Sequence, residues 1–326
     1  MLMTEIFKGP NPQAGDVYIN PLAPNFAIAY FQEQAGLHTM FADCPVDLQG
    51  GQYTVFSRGD LLRVATEIVA PGGNNPILGI GVDTSPTYFC NVYAAEMEHT
   101  PEALANWSLP IQAQMAATRT LARAAFLRRE LTWTTNFFTT GKWLTDVTPS
   151  VTWDDPSSDP IGDIETGIRT ILLATGIKPN VLGLGYDVWK ALKNHPDIVA
   201  RIGTGSTSNV IPRKVELQLV ANLFGLDEIM VGETVYNTAA AGASASMAFT
   251  AGKNALLAYR TPTPSLQEPT AGLHMAWRGL TGGVDGLMVR NGVDPRSQKA
   301  WYQIKHADDY RLTASELGYF FSGAVS

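Results

Sequence analysis

The sequence predicts a mixed α+β protein in which a middle α/β unit is inserted into a domain built from the two ends of the chain. Three observations carry this. The stretch VTPSVTWDDPSSDP, residues 147–160, is a Pro-, Ser- and Asp-rich linker that separates a long helical region from the middle of the chain. The block 160–260 then alternates helix and strand patterns as one unit. After the Pro-rich stretch TPTPSLQEPTAG, which begins at residue 261, the segments HMAWRGL, GLMVRNG and AWYQIKHADDYRL read as strands returning to pack on the long helix.

Residues 1–47 are expected to form an extended arm. Asn, Pro and Gly recur there, which makes poor helix, while Phe26, Tyr30, Phe31 and Phe41 still need a surface to bury against. Residues 48–92 read as an extended β-hairpin. GQYTVFSRGD and TYFCNVY are β-prone runs, joined through the turn-rich connector PGGNNPILGIG. Two strands with few partners are marginal alone, so this hairpin needs another surface. Thr100-Pro101-Glu102 is a helix start, and Pro110 restarts or kinks the helix. Beyond it, Gln112, Arg119, Arg123 and Glu130 fall in one narrow stripe, with Ala113, Ala117, Ala124 and Leu131 roughly opposite. Four arginines between 119 and 129 (Arg119, Arg123, Arg128, Arg129) make either a solvated, ion-paired face or a subunit or phosphate contact.

In the middle block, Asp159-Pro160 opens a helix, Ile161, Ile164, Ile168 and Ile171/Leu172 form its buried stripe, and Gly176 ends it. Strand VLGLG, helix YDVWKALKNH and a helix begun at Pro196 come next. Helix KVELQLVANLF ends at Gly225, strand EIMVGETV comes after it, and SMAFTAGKNALLAY reads as one further strand.

Composition bounds the function. The chain has 326 residues, 45% of them hydrophobic and only 16% charged, against ~25% charged in a typical soluble domain. Either the surface is neutral or much of it is covered by other subunits, since interface centres are depleted in Lys, Glu and Asp. The net charge of −7 lacks the basic balance of a dedicated nucleic-acid reader. Cys44 and Cys90 are far apart in sequence without a CxxC, as reduced thiols would be. Neither a signal peptide nor a membrane-spanning run is legible.

The candidate chemistry is thin. Gly183 and Gly185 form a GxG after a strand, but the third fingerprint position is Val188, and no second strand with an acidic residue comes after it. The glycines instead suit a tight strand-to-helix turn, with Asp187 as a helix cap. Gly252-Lys253 has Met247 where a phosphate-binding loop needs glycine. His38, His99, His195, His274 and His306 share no ligand spacing, and His195 reads as a helix-end residue. The carboxylate pairs Asp154/Asp155 and Asp308/Asp309 are expected near turns with diverging side chains. No catalytic, cofactor or metal residue is assigned, and the chain is read as an assembly protein rather than an enzyme.

Five stretches in order carry a resemblance over nearly the whole chain. They are PLAPNFAIAYFQ with MFADCPVDLQGGQYTVFSRGDLLR, then RRELTWTTNFFTTGKW, TGIKPNVLGLGYDVWKALKNHPDIVARI, LVANLFGLDEIMVGETVYN and HADDYRLTASELGYFF. This order resembles tailed-bacteriophage major capsid proteins of the Hong Kong 97-like fold. The resemblance implies an N-terminal arm (1–47), an extended loop (48–92), a peripheral domain with a long spine helix (93–159 and 261–326), and an inserted axial domain (160–260). It implies a subunit that self-assembles into pentamers and hexamers, forming an icosahedral shell around double-stranded DNA. The location implied is the virion, assembled in the host cytoplasm. A separate scaffolding protein, a portal and a decoration protein are implied partners, with non-specific DNA contact and no membrane. The arm begins close to Met1, which favours a separate scaffolding protein. Residues 48–92 contain no Lys, which does not support a covalent Lys–Asn link from that loop. Subunit-interface candidates are Tyr53, Arg58, Asp60, Arg63, Glu67, Arg119, Arg123, Arg128 and Arg129; for the loop charges, solvated strand residues are the alternative. Two rival classes stay open: an encapsulin-type nanocompartment with protein cargo, and a nucleotide-binding enzyme on the middle α/β block.

Overall fold

A computed structural model describes residues 36–53, 55–56, 64, 66, 82–105, 110–203, 213–240, 242–266, 268–280 and 287–326. The expected arm therefore lies outside the described residues up to position 35, as does most of the tip of the expected hairpin.

Two five-stranded sheets organise the chain. The first is built on one long strand, β15 (Ala300–Leu312). On one side it pairs antiparallel with β6 (Asn91–His99). It also pairs antiparallel with β14 (Leu287–Val293) along its first half and β13 (Gly272–Trp277) along its second. β1 (Ala42–Val46) adds to β13 in parallel at the edge. The late strands thus return to the long helix α2 (Pro110–Phe137), as the sequence predicts. A short α1 (Pro101–Ala105) precedes it, and the Thr100 hydroxyl accepts from the Ala103 N–H at 3.3 Å.

The burial of α2 differs from the expected stripe. Its buried positions step by four (Ala113, Ala117, Leu121, Ala125, Arg129, Trp133), with Thr118, Ala122, Phe126, Glu130 and Thr134 alongside. Four residues turn ~400°, so such a stripe winds ~40° around the helix at each step. The winding matches two different partners. Ala117, Leu121, Ala122 and Ala125 pack with Val289, Tyr302 and Ile304 of the sheet. Trp133, Phe137 and Phe138 pack instead into the second core with Phe41 and Phe320. A single helical stripe cannot represent a helix that changes partner along its length. Glu130, placed by periodicity beside the exposed Arg119 and Arg123, is completely buried, and Ala124 is exposed.

The second sheet runs β7 (Thr145–Val147), β16 (Gly318–Phe321), β12 (Ala255–Ala258), β8 (Val181–Gly185), β9 (Glu228–Gly232). β12 is antiparallel to its neighbours, whereas β8–β9 and β7–β16 are parallel. Two of its strands lie outside 160–260, so the α/β unit expected to be self-contained has its sheet completed by 145–147 and by the chain's last strand. Helix α3 (Pro160–Thr175) has the expected ends. The Asp159 carboxylate accepts from the Gly162 N–H at 2.9 Å, and Gly176 takes φ 73°. Helices α4 (Tyr186–Asn194), α5 (Pro196–Gly203) and α6 (Arg213–Phe224) agree with the sequence reading. The expected single strand at 246–259 is two, β11 (Met247–Phe249) and β12, because the chain turns through Gly252 at φ 58°. β11 pairs with β10 (Val235–Asn237) in a two-stranded hairpin of its own.

Candidate functional site

The GxG at 183–185 is a packing device. A Cβ on Gly183 would meet the Met40 sulfur, and one on Gly185 would meet the Gly252 carbonyl oxygen. The first glycine lets the 3₁₀ turn Leu37–Met40 lie directly on the sheet; the second lets two backbones touch. Gly185 precedes α4 as its N-cap and no side chain caps the helix, so Asp187 does not cap it. His195 ends α4 and is buried, with Nε2 3.2 Å from the Ser158 hydroxyl and Nδ1 accepting from the Asp197 N–H. Among the described residues no group of His, Cys, Asp and Glu could hold a metal ion, and no helix is long and apolar enough to cross a membrane.

The base of the hairpin is present. β2 (Gly50–Gln52) pairs antiparallel with β5 (Thr87–Phe89), and β3 (Val55–Phe56) with β4 (Val82–Asp83). Among the described residues neither ladder joins either five-stranded sheet. The base is tied down on β15. Asp309 accepts from the Phe89 N–H at 3.0 Å and from Arg311 Nε at 2.7 Å. Tyr53 is buried among Cys44, Cys90 and Met275, and its hydroxyl donates to the Leu312 carbonyl at 3.4 Å. Both cysteines are free and buried. Burial pushes the Cys90 thiol up to about 12.

The predicted interface residues therefore separate into three sets. Arg58, Asp60, Arg63 and Glu67 lie outside the described residues. Arg119 and Arg123 are exposed on α2, and Arg128 is exposed with its guanidinium 5.0 Å above the Tyr93 ring. Tyr53 and Arg129 face the interior of their own subunit: Arg129 Nε contacts Asp308 Oδ2 at 2.5 Å, with both side chains buried.

That contact is part of a buried ionic cluster that local sequence reading does not find. Asp308 also meets His306 Nδ1 at 3.0 Å and His274 Nε2 at 3.6 Å. His274 Nδ1 lies 2.6 Å from Asp43 Oδ1. Beside Arg129 on α2, Glu130 accepts from the Leu37 N–H (3.0 Å), the His38 N–H (3.1 Å) and His38 Nδ1 (2.7 Å). Asp308 and Asp309 sit within β15, not near a turn as expected. His306, Asp308 and Tyr310 fall on one face of that strand, continuing the buried Tyr302 and Ile304. Burial opposes the charge on Asp308, but Arg129 and the two imidazoles hold its carboxyl well below the usual range. Burial likewise opposes the charge on His274, yet Asp308 and Asp43 hold its pKa above the ordinary imidazole value. The cluster binds α2, strands β1, β13 and β15 and the turn Leu37–Met40 into one body. The available signal was the i, i+2, i+4 spacing of polar groups on an otherwise apolar strand face.

The outer surface of the α/β unit carries exposed apolar side chains. Tyr186 and Phe249 stack at 5.2 Å on the surface, with Val235 and Met247 on the same hairpin. Leu173 on α3 is 76% exposed.

No family model matches the chain. It is similar to the major capsid protein of Pseudomonas phage JBD67, 28% identical over 178 residues, which is 53% of each chain; the match spans about half the length of that relative. It is 24% identical to the major capsid protein of Burkholderia phage BcepMu, over 94% of this chain and 96% of that one. Among solved structures it superposes on a phage-related protein from Bordetella bronchiseptica RB50 with a TM-score of 0.72 at 22% identity, covering 96% and 99% of the two chains. It superposes on the capsid structure of cyanophage P-SCSP1u with a TM-score of 0.55 at 10% identity, covering 98% and 92%. The chain thus has the fold of phage capsid proteins and resembles phage major capsid proteins in sequence.

Proposed function

We propose that this chain is the shell subunit of a tailed phage, assembling into pentamers and hexamers that together enclose double-stranded DNA in an icosahedral capsid. The observation that carries the reading is the similarity to a phage major capsid protein along nearly the full length of both chains. Three features support it. The hairpin base is clamped to β15, yet its ladders join no other strand among the described residues, as suits a loop that completes its packing on a neighbouring subunit. The apolar side chains on the α/β unit suit contacts between copies. The acidic balance suits an inner wall that does not grip its genome. In this reading the α/β unit points toward the capsomer axes and the sheet around β15 forms the periphery. In the same reading scaffolding, portal and decoration proteins are partners, and the site of residence is the virion.

The test is electron microscopy of the purified protein, co-expressed with its neighbouring gene products. A variant replaces residues 57–81 by an Asn-Gly turn between Phe56 and Val82, which keeps both ladders and removes the expected loop. Wild-type protein should give closed shells, and the variant soluble capsomers or monomers. A wild-type monomer under every co-expression would overturn the shell reading; closed shells from the variant would overturn the loop's role. Packaged DNA rather than an enzyme inside the particles separates the capsid from a cargo compartment.

A further inference from the structure

His274 lies on β13 between the two strands that flank it. Asp43 is its register partner on β1, with Nδ1–Oδ1 at 2.6 Å. Tyr310 is its register partner on β15 and stacks on the imidazole at 4.5 Å. The other ring nitrogen, Nε2, is buried with no hydrogen-bond partner and faces Asp308 Oδ2 at 3.6 Å. A neutral imidazole has one N–H and one lone pair. Whichever nitrogen carries the single proton, the other presents a lone pair to a carboxylate. Only the imidazolium gives a donor to both.

The surrounding charges point the same way. α2 contributes Arg129 and Glu130, β15 contributes Asp308 and His306, β1 contributes Asp43, and the 3₁₀ turn contributes His38. With all imidazoles neutral, one guanidinium meets three carboxylates, a deficit of two positive charges. Asp43 sits at the rim, its side chain 70% exposed, and water serves it in part; Asp308 and Glu130 have no such relief. β1 buries Ala42, Cys44 and Val46 but is bonded along one side. Among the described residues it is an edge strand paired only to β13, and Pro45 within it has no N–H.

We propose that His274 is a proton-operated clasp for the segment Ala42–Val46: as the imidazolium it bridges Asp43 on the edge strand to Asp308 in the core, and on losing its proton it lets that strand loosen. The segment is the last stretch of the expected arm, residues 1–47, so the clasp sets how firmly the end of that arm is fixed. A folded-state pKa above the ordinary imidazole value of about 6.5 means the stabilisation is complete below that pH and is lost as pH rises through the folded value. The clasp therefore opens toward alkaline pH.

The test is hydrogen exchange by mass spectrometry on the intact protein in one fixed assembly state, from about pH 5.5 to about pH 8.5, a window that brackets the imidazole range, corrected for intrinsic rate. Peptides covering 42–46 should show flat, high protection below about pH 6.5 and a severalfold loss by the alkaline end. His274→Gln should be less protected and flat. A flat wild-type profile, or the same fall in the variant, would overturn the clasp. Nitrogen-15 imidazole NMR on the wild type reads the proton directly and does not depend on the variant folding. His274 doubly protonated at about pH 6 is expected; a neutral single tautomer at that pH refutes the proposal.

Discussion

Replacing Glu130 by Ala should release the turn Leu37–Met40 and destabilise the whole subunit. The carboxylate is completely buried and accepts from two backbone N–H groups, those of Leu37 and His38, and from the His38 ring. Leu37 and His38 are themselves buried, so no water replaces the lost acceptor. Each orphaned buried donor costs about 1–3 kcal/mol, and two of them cost about 2–6 kcal/mol. The 3₁₀ turn they anchor also inserts Leu37 and Met40 against Gly183 and Gly232, so its release strips cover from the second sheet. With a urea slope of about 3 kcal/mol/M, a loss near the middle of that range lowers the unfolding midpoint by about 1–2 M. The assay is urea unfolding of dissociated subunits followed by tryptophan fluorescence, with buried Trp133, three residues along α2, as a near reporter. Glu130→Gln keeps one acceptor oxygen while its amide opposes the second donor, so it should lose about half as much. A midpoint for Glu130→Ala equal to wild type would refute the reasoning, since it would mean that the two N–H groups find other partners without cost.

Close contacts elsewhere in the fold give three further expected outcomes. Gly185→Ala should cost at least about 1–3 kcal/mol and lower the melting temperature, because the added methyl meets the Gly252 backbone oxygen and not a flexible side chain. Arg129→Met alone should cost about 3–5 kcal/mol by stranding Asp308, whereas Arg129→Met with Asp308→Leu should recover much of that loss in a double-mutant cycle of urea midpoints. In wild type, the Asp308 contribution is present above the usual carboxyl range and is lost as pH falls through its depressed folded value, while the variant lacking both groups should lack that acid-side loss.

Features that neighbours in the chain decide were legible in the residues alone. Asp159 three residues before Gly162, Pro160 at the first helical position and Gly176 at φ 73° bound α3 through contacts within four residues, and each was readable in place. The same holds for the helix start at Pro110, the strand Val181–Gly185, and the strands Gly272–Trp277, Leu287–Val293 and Ala300–Leu312. Which groups these elements bring together was settled only when the chain closed on itself. Apart from His306–Asp308 within β15, the pairs of the buried cluster are separated by 92 (His38–Glu130), 179 (Arg129–Asp308) and 231 (Asp43–His274) positions, so no local spacing encodes those three. Glu130 and Arg129 look like surface charges on an amphipathic helix until the arm's root and β15 close over them. Tyr53 reads in sequence as one aromatic of a β-prone run, and its partner Leu312 is supplied only when the base of the hairpin folds against β15. The break of one expected strand at Gly252 and the recruitment of 318–321 into the α/β sheet have the same origin. Periodicity specifies which face of an element is apolar, but a helix such as α2, which lies on one sheet at its start and in another core at its end, has a buried face that only its partners define.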